Sequence, residues 1–237
     1  MKNRKQLPTF KALVRKIDVA AVLKQCEQDN LFDYSKFNDI KKSADSRYKN
    51  FLVGNGFSKN EFFIREDEEE LEGELYKQLY LTGYKYDTDT VIEEKESTVK
   101  SRLRRIQPGH PDYVPELDEH NYGKWNENVK GAFADLLNSF KSPLTRVRLA
   151  VLMPNMTIKK HVDYDPSYIC RYHIPLITNK DVEFGMEVNG KEELFSMPAD
   201  GSIYFFNSGL PHWVSNKSSE PRLHLILDTN GQLDLDT

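Results

Sequence analysis

Residues 169–206 read ICRYHIPLITNKDVEFGMEVNGKEELFSMPADGSIYFF, and this stretch decides the fold class. Four short runs rich in β-branched and aromatic residues are separated there by the turn signals TNKD, NGK and PADG. The NGK signal predicts a β-hairpin with a type I′ turn, because Asn and Gly both tolerate a positive φ. No interval between the runs has room for a helix, which excludes a parallel βαβ sheet.

The same pattern extends in both directions from this stretch. From Pro143 onward we predict eight strands, at Leu144–Met153, Ile158–Asp163, Ile169–Ile177, Val182–Val188, Glu192–Met197, Gly201–Phe206, His212–Ser215 and Arg222–Asp228. Short strands in this number are typical of a jelly roll, a double-stranded β-helix in which two packed sheets enclose a pocket. The predicted fold class is mainly β (α+β overall), with helices from the N-terminal part packed outside the core.

The chain before residue 143 is more charged and more mixed in character. Apolar spacing predicts helices within Ile17–Gln28, Glu66–Tyr80 and Trp125–Phe140, the last with its tryptophan in the core. We also predict a strand at Val99–Ile106 and an ordered loop at Gln107–Asn121. The predicted organisation is one structural unit, in which an N-terminal helical and mixed region, residues 1–142, packs on a jelly-roll catalytic core, residues 143–237.

Composition narrows the classes of protein to which the chain can belong. The chain has 11% aromatic residues, which supply enough bulky apolar material for a core. A net charge of -4 argues against a nucleic-acid partner, although Arg102, Arg104 and Arg105 cluster. With only Cys26 and Cys170 available, no disulfide framework is expected. Neither a secretory signal nor an apolar run of about 18 residues is present, so we expect a cytoplasmic protein without a membrane partner.

The candidate site is a set of ligand-type side chains at the ends of predicted strands. His161 and Asp163 are two residues apart and therefore share a face, and His212 starts a later strand. Two imidazoles and one carboxylate make the facial triad of non-haem iron(II) oxygenases, which leaves open positions for a 2-oxo acid and dioxygen. Arg222, ten residues beyond His212, offers the planar fork that can hold the distal carboxylate of 2-oxoglutarate.

Three further side chains are placed near this site by strand alternation. Arg171 and His173 share one face of their strand, where they form a second cationic, hydrogen-bonding pair if that face lines the pocket. His224 shares the face of Arg222, either in the pocket or as a packing residue. These positions extend the candidate site beyond the triad.

Two other functions remain open at this point. The same triad with an open position also suits zinc, so a zinc-dependent hydrolase is one alternative. A non-catalytic jelly-roll binding module is the other, although the intact triad together with Arg222 argues against it. His110 and His120 lie in a proline-rich loop and are interpreted as surface or substrate-rim residues rather than ligands.

Residues from about Thr145 to Asp228 resemble the aspartyl/asparaginyl β-hydroxylase family, a branch of the Fe(II)/2-oxoglutarate dioxygenases that includes bacterial free-proline hydroxylases. The resemblance is carried by LAVLMPNMTIKKHVD, RYHIPL, MPADGSIYFFNSGLPHWVSN and PRLHLILD. It implies that His161 and His212 are iron ligands and that Arg222 binds the distal carboxylate of 2-oxoglutarate. It also implies that Arg171 and His173 are further co-substrate contacts.

The resemblance also implies a reaction. An unactivated C–H bond of an amino acid, an amino-acid derivative or a peptidyl residue is hydroxylated with dioxygen and 2-oxoglutarate, and succinate and CO2 are released. Asp163 sets the chain apart from the two-histidine peptide-modifying members and from halogenating relatives, which need that coordination position vacant. Ala150 stands where the family often has a serine that assists the arginine.

Overall fold

In a computed structural model of the chain, the described residues are 1–39, 63–64, 76–83, 85, 113, 115 and 118–236. The strands within them are β1 (Phe10–Lys16), β2 (Asn38–Asp39), β3 (Phe63–Ile64), β4 (Tyr76–Tyr80), β5 (Thr82–Gly83), β6 (Lys124–Trp125), β7 (Leu144–Leu152), β8 (Met156–His161), β9 (Cys170–Ile177), β10 (Val182–Val188), β11 (Lys191–Phe195), β12 (Ser202–Phe206), β13 (His212–Asn216) and β14 (Arg222–Thr229). The helices are α1 (Val19–Gln28) and α2 (Gly131–Asn138), and short 3-10 turns occupy Tyr34–Lys36 and Glu119–Asn121.

Two antiparallel sheets form the core of the protein. One has seven strands in the order β1-β12-β9-β14-β7-β4-β2, and the other has five in the order β11-β10-β13-β8-β3. Side chains from both sheets pack together in one apolar cluster, to which the larger sheet contributes Leu152 and Phe206 and the smaller one Phe184 and Met186. This packing of two antiparallel sheets confirms the predicted jelly roll.

The outer face of the larger sheet is covered by the two helices. Alternation along β7 and β14 turns residues such as Leu149 and Leu225 outward, where they meet Val22 of α1 and Phe133 of α2 in a second apolar cluster. Helix α1 begins at Asp18, whose side chain accepts a hydrogen bond from the Ala21 backbone N–H. The helices therefore lie outside the core, as predicted, and the inner face of the sheet is left for the site.

All eight predicted strands of the C-terminal half are confirmed, with boundaries that differ by no more than two residues. The hairpin between β10 and β11 is confirmed as well. Asn189 and Gly190 both have positive φ, at 52° and 76°, as a type I′ turn requires.

Two predicted helices are corrected. The helix expected over Glu66–Tyr80 is wrong at its C-terminal end, where Tyr76–Tyr80 is strand β4; the preceding residues lie outside the described part of the chain. Pairing with the edge of β7 satisfies backbone groups that would otherwise be unpaired, and this overrides the four-residue spacing of the leucines. The helix expected over Trp125–Phe140 begins only at Gly131, and Trp125 lies in β6 with 39% of its surface exposed, outside the core.

Other predictions concern residues that are only partly described. The strand expected at Val99–Ile106, which includes the arginine cluster, lies outside the described residues, as does His110. The loop expected over Gln107–Asn121 contains the 3-10 turn Glu119–Asn121 in its described part. Both cysteines are free and buried. Among the described residues, no helix combines the length and the apolar character needed to cross a bilayer.

The N-terminal part of the chain contributes strands to both sheets. β1 pairs with β12, β4 pairs with β7, and β3 pairs with β8. The larger sheet therefore depends on residues before 143 at each of its ends. The division into an N-terminal region and a catalytic core at residue 143 stays a prediction.

Candidate metal centre

The predicted triad is brought together where β8 and β13 pair. His161 ends β8 and His212 begins β13, and the two are direct partners across the ladder. Their ring centroids are 4.2 Å apart. Asp163 follows in the next loop, which is tied down by the hydrogen bond from its backbone N–H to the Ser208 carbonyl (2.8 Å). One ligand atom from each of the three residues lies within 4.8 Å of the others.

Both histidines are oriented by backbone carbonyls. Nδ1 of His161 lies 2.7 Å from the Lys159 carbonyl oxygen, and Nδ1 of His212 lies 2.8 Å from that of Leu210. Because a carbonyl oxygen only accepts hydrogen bonds, each Nδ1 carries the hydrogen and each Nε2 presents its lone pair. The two Nε2 atoms lie 4.0 Å and 3.8 Å from Oδ2 of Asp163. Burial, followed by the neighbouring His161, lowers the pKa of His212 to about 4, so its ring is neutral at pH 7.

The carboxylate of the triad belongs to a buried network of charges. Burial alone would raise the pKa of Asp163, but the guanidinium of Arg171, which binds Oδ2 directly, holds that pKa well below its usual range. Arg171 also donates to both oxygens of Asp228, over 2.7 Å from Nε and 3.1 Å from Nη2. Asp228 accepts a further hydrogen bond from Arg148 at 2.9 Å. These contacts keep the Asp163 carboxylate ionised and fixed in direction.

Arg222 begins β14 and lies on the inner face of the larger sheet. It is 2% exposed, and neither its Nε nor its Nη1 has a hydrogen-bond partner among the described residues. Its guanidinium carbon lies 5.1 Å from the centre of the Phe184 ring. Burial lowers the pKa of Arg222 to about 10, so the group is still charged at pH 7. A buried cation without a counter-charge destabilises the folded protein, because its desolvation is not compensated. An anion bound beside Arg222 would supply this compensation.

A continuous series of ring contacts joins the triad to Arg222. Starting from His212, it runs through Phe206, His173, His224 and Phe184. Successive ring centroids are between 5.0 and 5.7 Å apart. The triad and Arg222 therefore lie between the same two sheets and are connected by packed rings.

The two histidines among these rings are buried without full hydrogen bonding. Within the part of the chain that the structure describes, Nδ1 of His173 and both ring nitrogens of His224 have no hydrogen-bond partner. Burial, then the charge of Arg222, lowers the pKa of both rings well below its ordinary value, so both are neutral. His224, which the sequence left open between pocket and packing, is 0% exposed and lies in ring contact with His173.

The other residues singled out in the sequence lie at different distances from the triad. Arg171 faces the site, but in this structure its partners are carboxylates. His120 lies in the loop before β6, where Nε2 is 2.9 Å from the Tyr168 carbonyl oxygen, and it is not part of the ligand cluster. Ala150 is fully buried on the inner face, between Gln78 of β4 and His224 of β14.

Sequence reasoning missed two groups of site residues. Arg148 and Asp228 lie inside predicted strands. Each is a charged residue at an inward position of a largely apolar run, and this pattern could have indicated a role in the site. Tyr76 and Gln78 were missed because their segment was assigned to a helix. Only the pairing of β4 with β7 shows that they face the site.

The chemistry of this arrangement is that of an open metal site. Two imidazole nitrogens and one carboxylate oxygen converge from one side, a donor set that suits Fe(II) with exchangeable positions opposite. The buried, incompletely paired guanidinium of Arg222 fits a carboxylate of a second small molecule in the same space. The residues present therefore fit both the metal and a 2-oxo dicarboxylate.

The match to a protein family covers this site. The family model described as aspartyl/asparaginyl beta-hydroxylase matches residues 116–231, which include the triad, Arg171 and Arg222. The matched residues are just under half of the chain, and over them the chain is similar to the aspartyl/asparaginyl β-hydroxylase family. The match confirms the predicted family and, with it, the predicted enzyme class, a hydroxylase of the 2-oxoglutarate–Fe(II) dioxygenase type. Strand β4 lies outside the matched residues.

Several solved structures resemble the chain at low identity. An oxidoreductase of the 2OG-Fe(II) oxygenase family from Burkholderia pseudomallei is 12% identical over 70% of this chain and 74% of its own, with a TM-score of 0.37. A prolyl-4-hydroxylase from Pseudomonas putida is 11% identical over 94% and 93%, with a TM-score of 0.45. A prolyl hydroxylase from Trichoplax adhaerens, solved with a peptide fragment of a hypoxia-inducible factor, is 16% identical over 93% and 83%, with a TM-score of 0.44. No curated protein is significantly similar in sequence.

Proposed function

We propose that the protein hydroxylates an unactivated C–H bond of an amino acid, an amino-acid derivative or a peptidyl residue, with Fe(II) held by His161, Asp163 and His212. Arg222 binds the distal carboxylate of 2-oxoglutarate. When bound, the metal and the 2-oxo acid supply the oxidising chemistry, in which one oxygen atom of O2 enters the C–H bond and the other enters succinate as CO2 is lost.

The observation that carries this proposal is the state of Arg222. The side chain is buried and charged, and two of its nitrogens have no hydrogen-bond partner in the described ranges of the chain. A zinc-dependent hydrolase could use the same triad, but the hydrolytic step itself does not require a buried guanidinium. A dicarboxylate that chelates the metal at one end places its other carboxylate at a distance, and a guanidinium is the side chain suited to receive it through two parallel hydrogen bonds.

The chain's own residues have separate tasks in this reaction. The two imidazoles and the Asp163 carboxylate leave a bound Fe(II) with net positive charge, which favours the anionic 2-oxo acid. Arg171 and His173, which lie on strand β9, serve as further contacts to the 2-oxo acid in this proposal. Phe184 and Phe206 keep water away from the space between metal and arginine.

The experiment loads the full chain anaerobically with Fe(II) or Zn(II) and supplies free amino acids or short peptides. Oxygen uptake and succinate are measured. We expect succinate to form from 2-oxoglutarate with the iron form alone and to be stimulated by one of these substrate classes. Asp163→Ala should abolish hydroxylation, and Arg222→Ala should raise the 2-oxoglutarate concentration required by about a hundredfold, since charged hydrogen bonds are lost.

Arg222→Lys is the matched control, because it keeps the charge and loses the planar fork. It should fall between the wild type and Arg222→Ala. Hydrolysis of an ester or amide by the zinc form, without succinate from the iron form, would overturn the proposal in favour of a hydrolase.

A further inference from the structure

Strand β4 brings three polar side chains to the inner face of the larger sheet. Tyr76, Gln78 and Tyr80 alternate with Leu79, which packs toward the helices, and with Lys77, whose Nζ donates to the Tyr34 carbonyl oxygen on that side. Successive residues of a strand point to opposite faces, so the three polar residues all point inward. They lie outside the residues that the family model matches.

The strand register places Tyr76 in the same row as Arg222. Leu152 of β7 is the partner of Tyr76 on one side and of Arg222 on the other. The three residues therefore share one face in one row, and the outer two are separated by two strand spacings, roughly 10 Å between their backbones. Both side chains therefore extend from the same face of the sheet, one on each side of Leu152.

In the adjacent row of residues across the sheet, β7 has no side chain that can donate a hydrogen bond. There Ala150 lies between Gln78 and His224, and its methyl group cannot form a hydrogen bond. An anion at Arg222 must therefore find its other donors on neighbouring strands.

Hydrogen bonds along β4 orient the Tyr76 hydroxyl as a donor. The Tyr80 hydroxyl donates to Oε1 of Gln78 over 2.8 Å, and Nε2 of Gln78 donates to the Tyr76 oxygen over 2.7 Å. The oxygen of Tyr76 already accepts a hydrogen bond, so its own hydrogen is left for another acceptor. Within the described part of the chain, no side chain or carbonyl accepts that hydrogen.

Electrostatic coupling places this hydroxyl close to the site. Burial lowers the pKa of Arg222 to about 10, and the nearby Tyr76 acts in the opposite direction by raising this pKa. Tyr76 also contributes to raising the pKa of Arg171. The phenol oxygen is therefore within electrostatic reach of both guanidinium groups that face the pocket.

We infer that Tyr76 is a co-substrate-binding residue whose hydroxyl donates a hydrogen bond to the carboxylate held by Arg222. Gln78 and Tyr80 are positioning residues that turn this hydroxyl toward the carboxylate. The inference rests on the proposed function, since it takes 2-oxoglutarate as the ligand. It means that a strand outside the matched family region completes the co-substrate pocket.

The test compares two 2-oxo acids that chelate a metal in the same way. Full-length protein is loaded anaerobically with Fe(II), and binding of 2-oxoglutarate or pyruvate is followed by calorimetry and by the visible charge-transfer absorption of the complex. Pyruvate lacks the distal carboxylate. Tyr76→Phe should weaken 2-oxoglutarate binding about tenfold or more, because a hydrogen bond to a charged group is lost, and should leave pyruvate binding unchanged.

Two further variants make the result specific. Ala150→Ser supplies a hydroxyl in the adjacent row, and in the Tyr76→Phe background it should restore part of the affinity for 2-oxoglutarate. Tyr204→Phe is the matched control, since it removes a buried phenol hydroxyl elsewhere on the same sheet and should change neither affinity.

The outcomes separate the inference from the proposed function. An unchanged 2-oxoglutarate affinity in Tyr76→Phe, with the expected loss in Arg222→Ala, overturns the inference and leaves the function intact. Equal loss of 2-oxoglutarate and pyruvate affinity also overturns it, since the hydroxyl would then support the metal site. Wild-type protein that binds neither acid overturns the proposed function and the inference together.

Discussion

Arg171 is the residue at which sequence and structure assign different partners. The resemblance to the family implies a co-substrate contact, whereas in the structure the guanidinium joins Asp163 to Asp228. The pKa of Arg171 reflects this position: burial would lower it, but Asp228 and Asp163 raise it well above its ordinary value. A side chain that holds a metal-binding carboxylate controls the affinity of the metal first.

The corresponding prediction concerns Arg171→Lys, which keeps the charge but cannot bridge two carboxylates. We expect Fe(II) affinity, measured by competition with a chelator, to fall about tenfold or more, as for other residues that orient metal ligands. The 2-oxoglutarate affinity at saturating metal should fall less than in Arg222→Ala. If metal affinity stays at the wild-type value while 2-oxoglutarate binding weakens, the co-substrate contact is the main role of Arg171 instead.

The buried histidines predict how stability depends on pH. His224 faces Arg222 and His173, and its pKa is held well below the ordinary value by burial and by the Arg222 charge. The unfolded chain takes up a proton near pH 6.5 and the folded chain does not, so the free energy of unfolding falls as the pH decreases. From about pH 7 to about pH 5.5, each such histidine contributes a slope of up to about 1.4 kcal/mol per pH unit.

The measurement is chemical unfolding of the metal-free protein across that pH range. His224→Leu should flatten the dependence, because it removes one of the groups that the unfolded state protonates. A slope that is the same in the variant and the wild type would contradict a neutral, buried His224.

At the residue scale, the sequence predicted the triad and Arg222 because their spacing follows the ends of successive strands. It did not predict the pairing of Arg148 with Asp228, because these residues are separated by 80 positions. Their contact follows from the register of β7 against β14 and of β14 against β9, and a single strand's alternation carries no information on register.

Among the elements, the strands of the C-terminal half were predictable and β4 was not. β7 to β14 each have turn signals at both ends and strong β formers between them. The segment before residue 81 instead has leucines spaced as in a helix, together with the alternating Tyr76, Gln78 and Tyr80. Its conformation is decided by the free edge of β7, which is a tertiary effect that local spacing does not report.

Strand β10 supports a prediction at this scale. Gly185 is the cross-strand partner of Trp213, and a Cβ at Gly185 would lie 2.0 Å from the indole ring. Gly185→Ala must therefore displace the tryptophan, and we expect a loss of about 1–3 kcal/mol in the free energy of unfolding. Because Trp213 directly follows His212, a proposed metal ligand, Fe(II) affinity should fall as well.

Gly83→Ala is the matched control, since a Cβ at Gly83 would have no atom within 4 Å. Its effect on unfolding should stay within about 0.5 kcal/mol. Equal stability of the Gly185→Ala and Gly83→Ala variants in urea unfolding would show that the indole ring can move aside without cost.

At the scale of the whole molecule, the proposed catalytic residues and the residues that make their sheet stable come from different parts of the chain. All members of the triad and Arg222 lie after residue 143, as the sequence predicted. The ends of the seven-stranded sheet are formed by β1 and by β4 with β2, and α1 and α2 cover its outer face. The motifs of the second half predicted a metal and 2-oxoglutarate site. They carried no information about the strand pairing of the second half with the first.

This dependence predicts that residues 143–237 do not fold alone. Without the first half, β12 loses its pairing with β1, and β7 loses its pairing with β4. Residues that are fully buried under the helices, such as Leu149 and Leu225, would form an exposed apolar face. We expect the isolated segment to bind a hydrophobic dye, to show no cooperative urea transition and to lack 2-oxoglutarate binding. Co-expression with residues 1–142 should restore all three properties, whereas a cooperative transition of the segment by itself would show that the core is stable without its N-terminal strands.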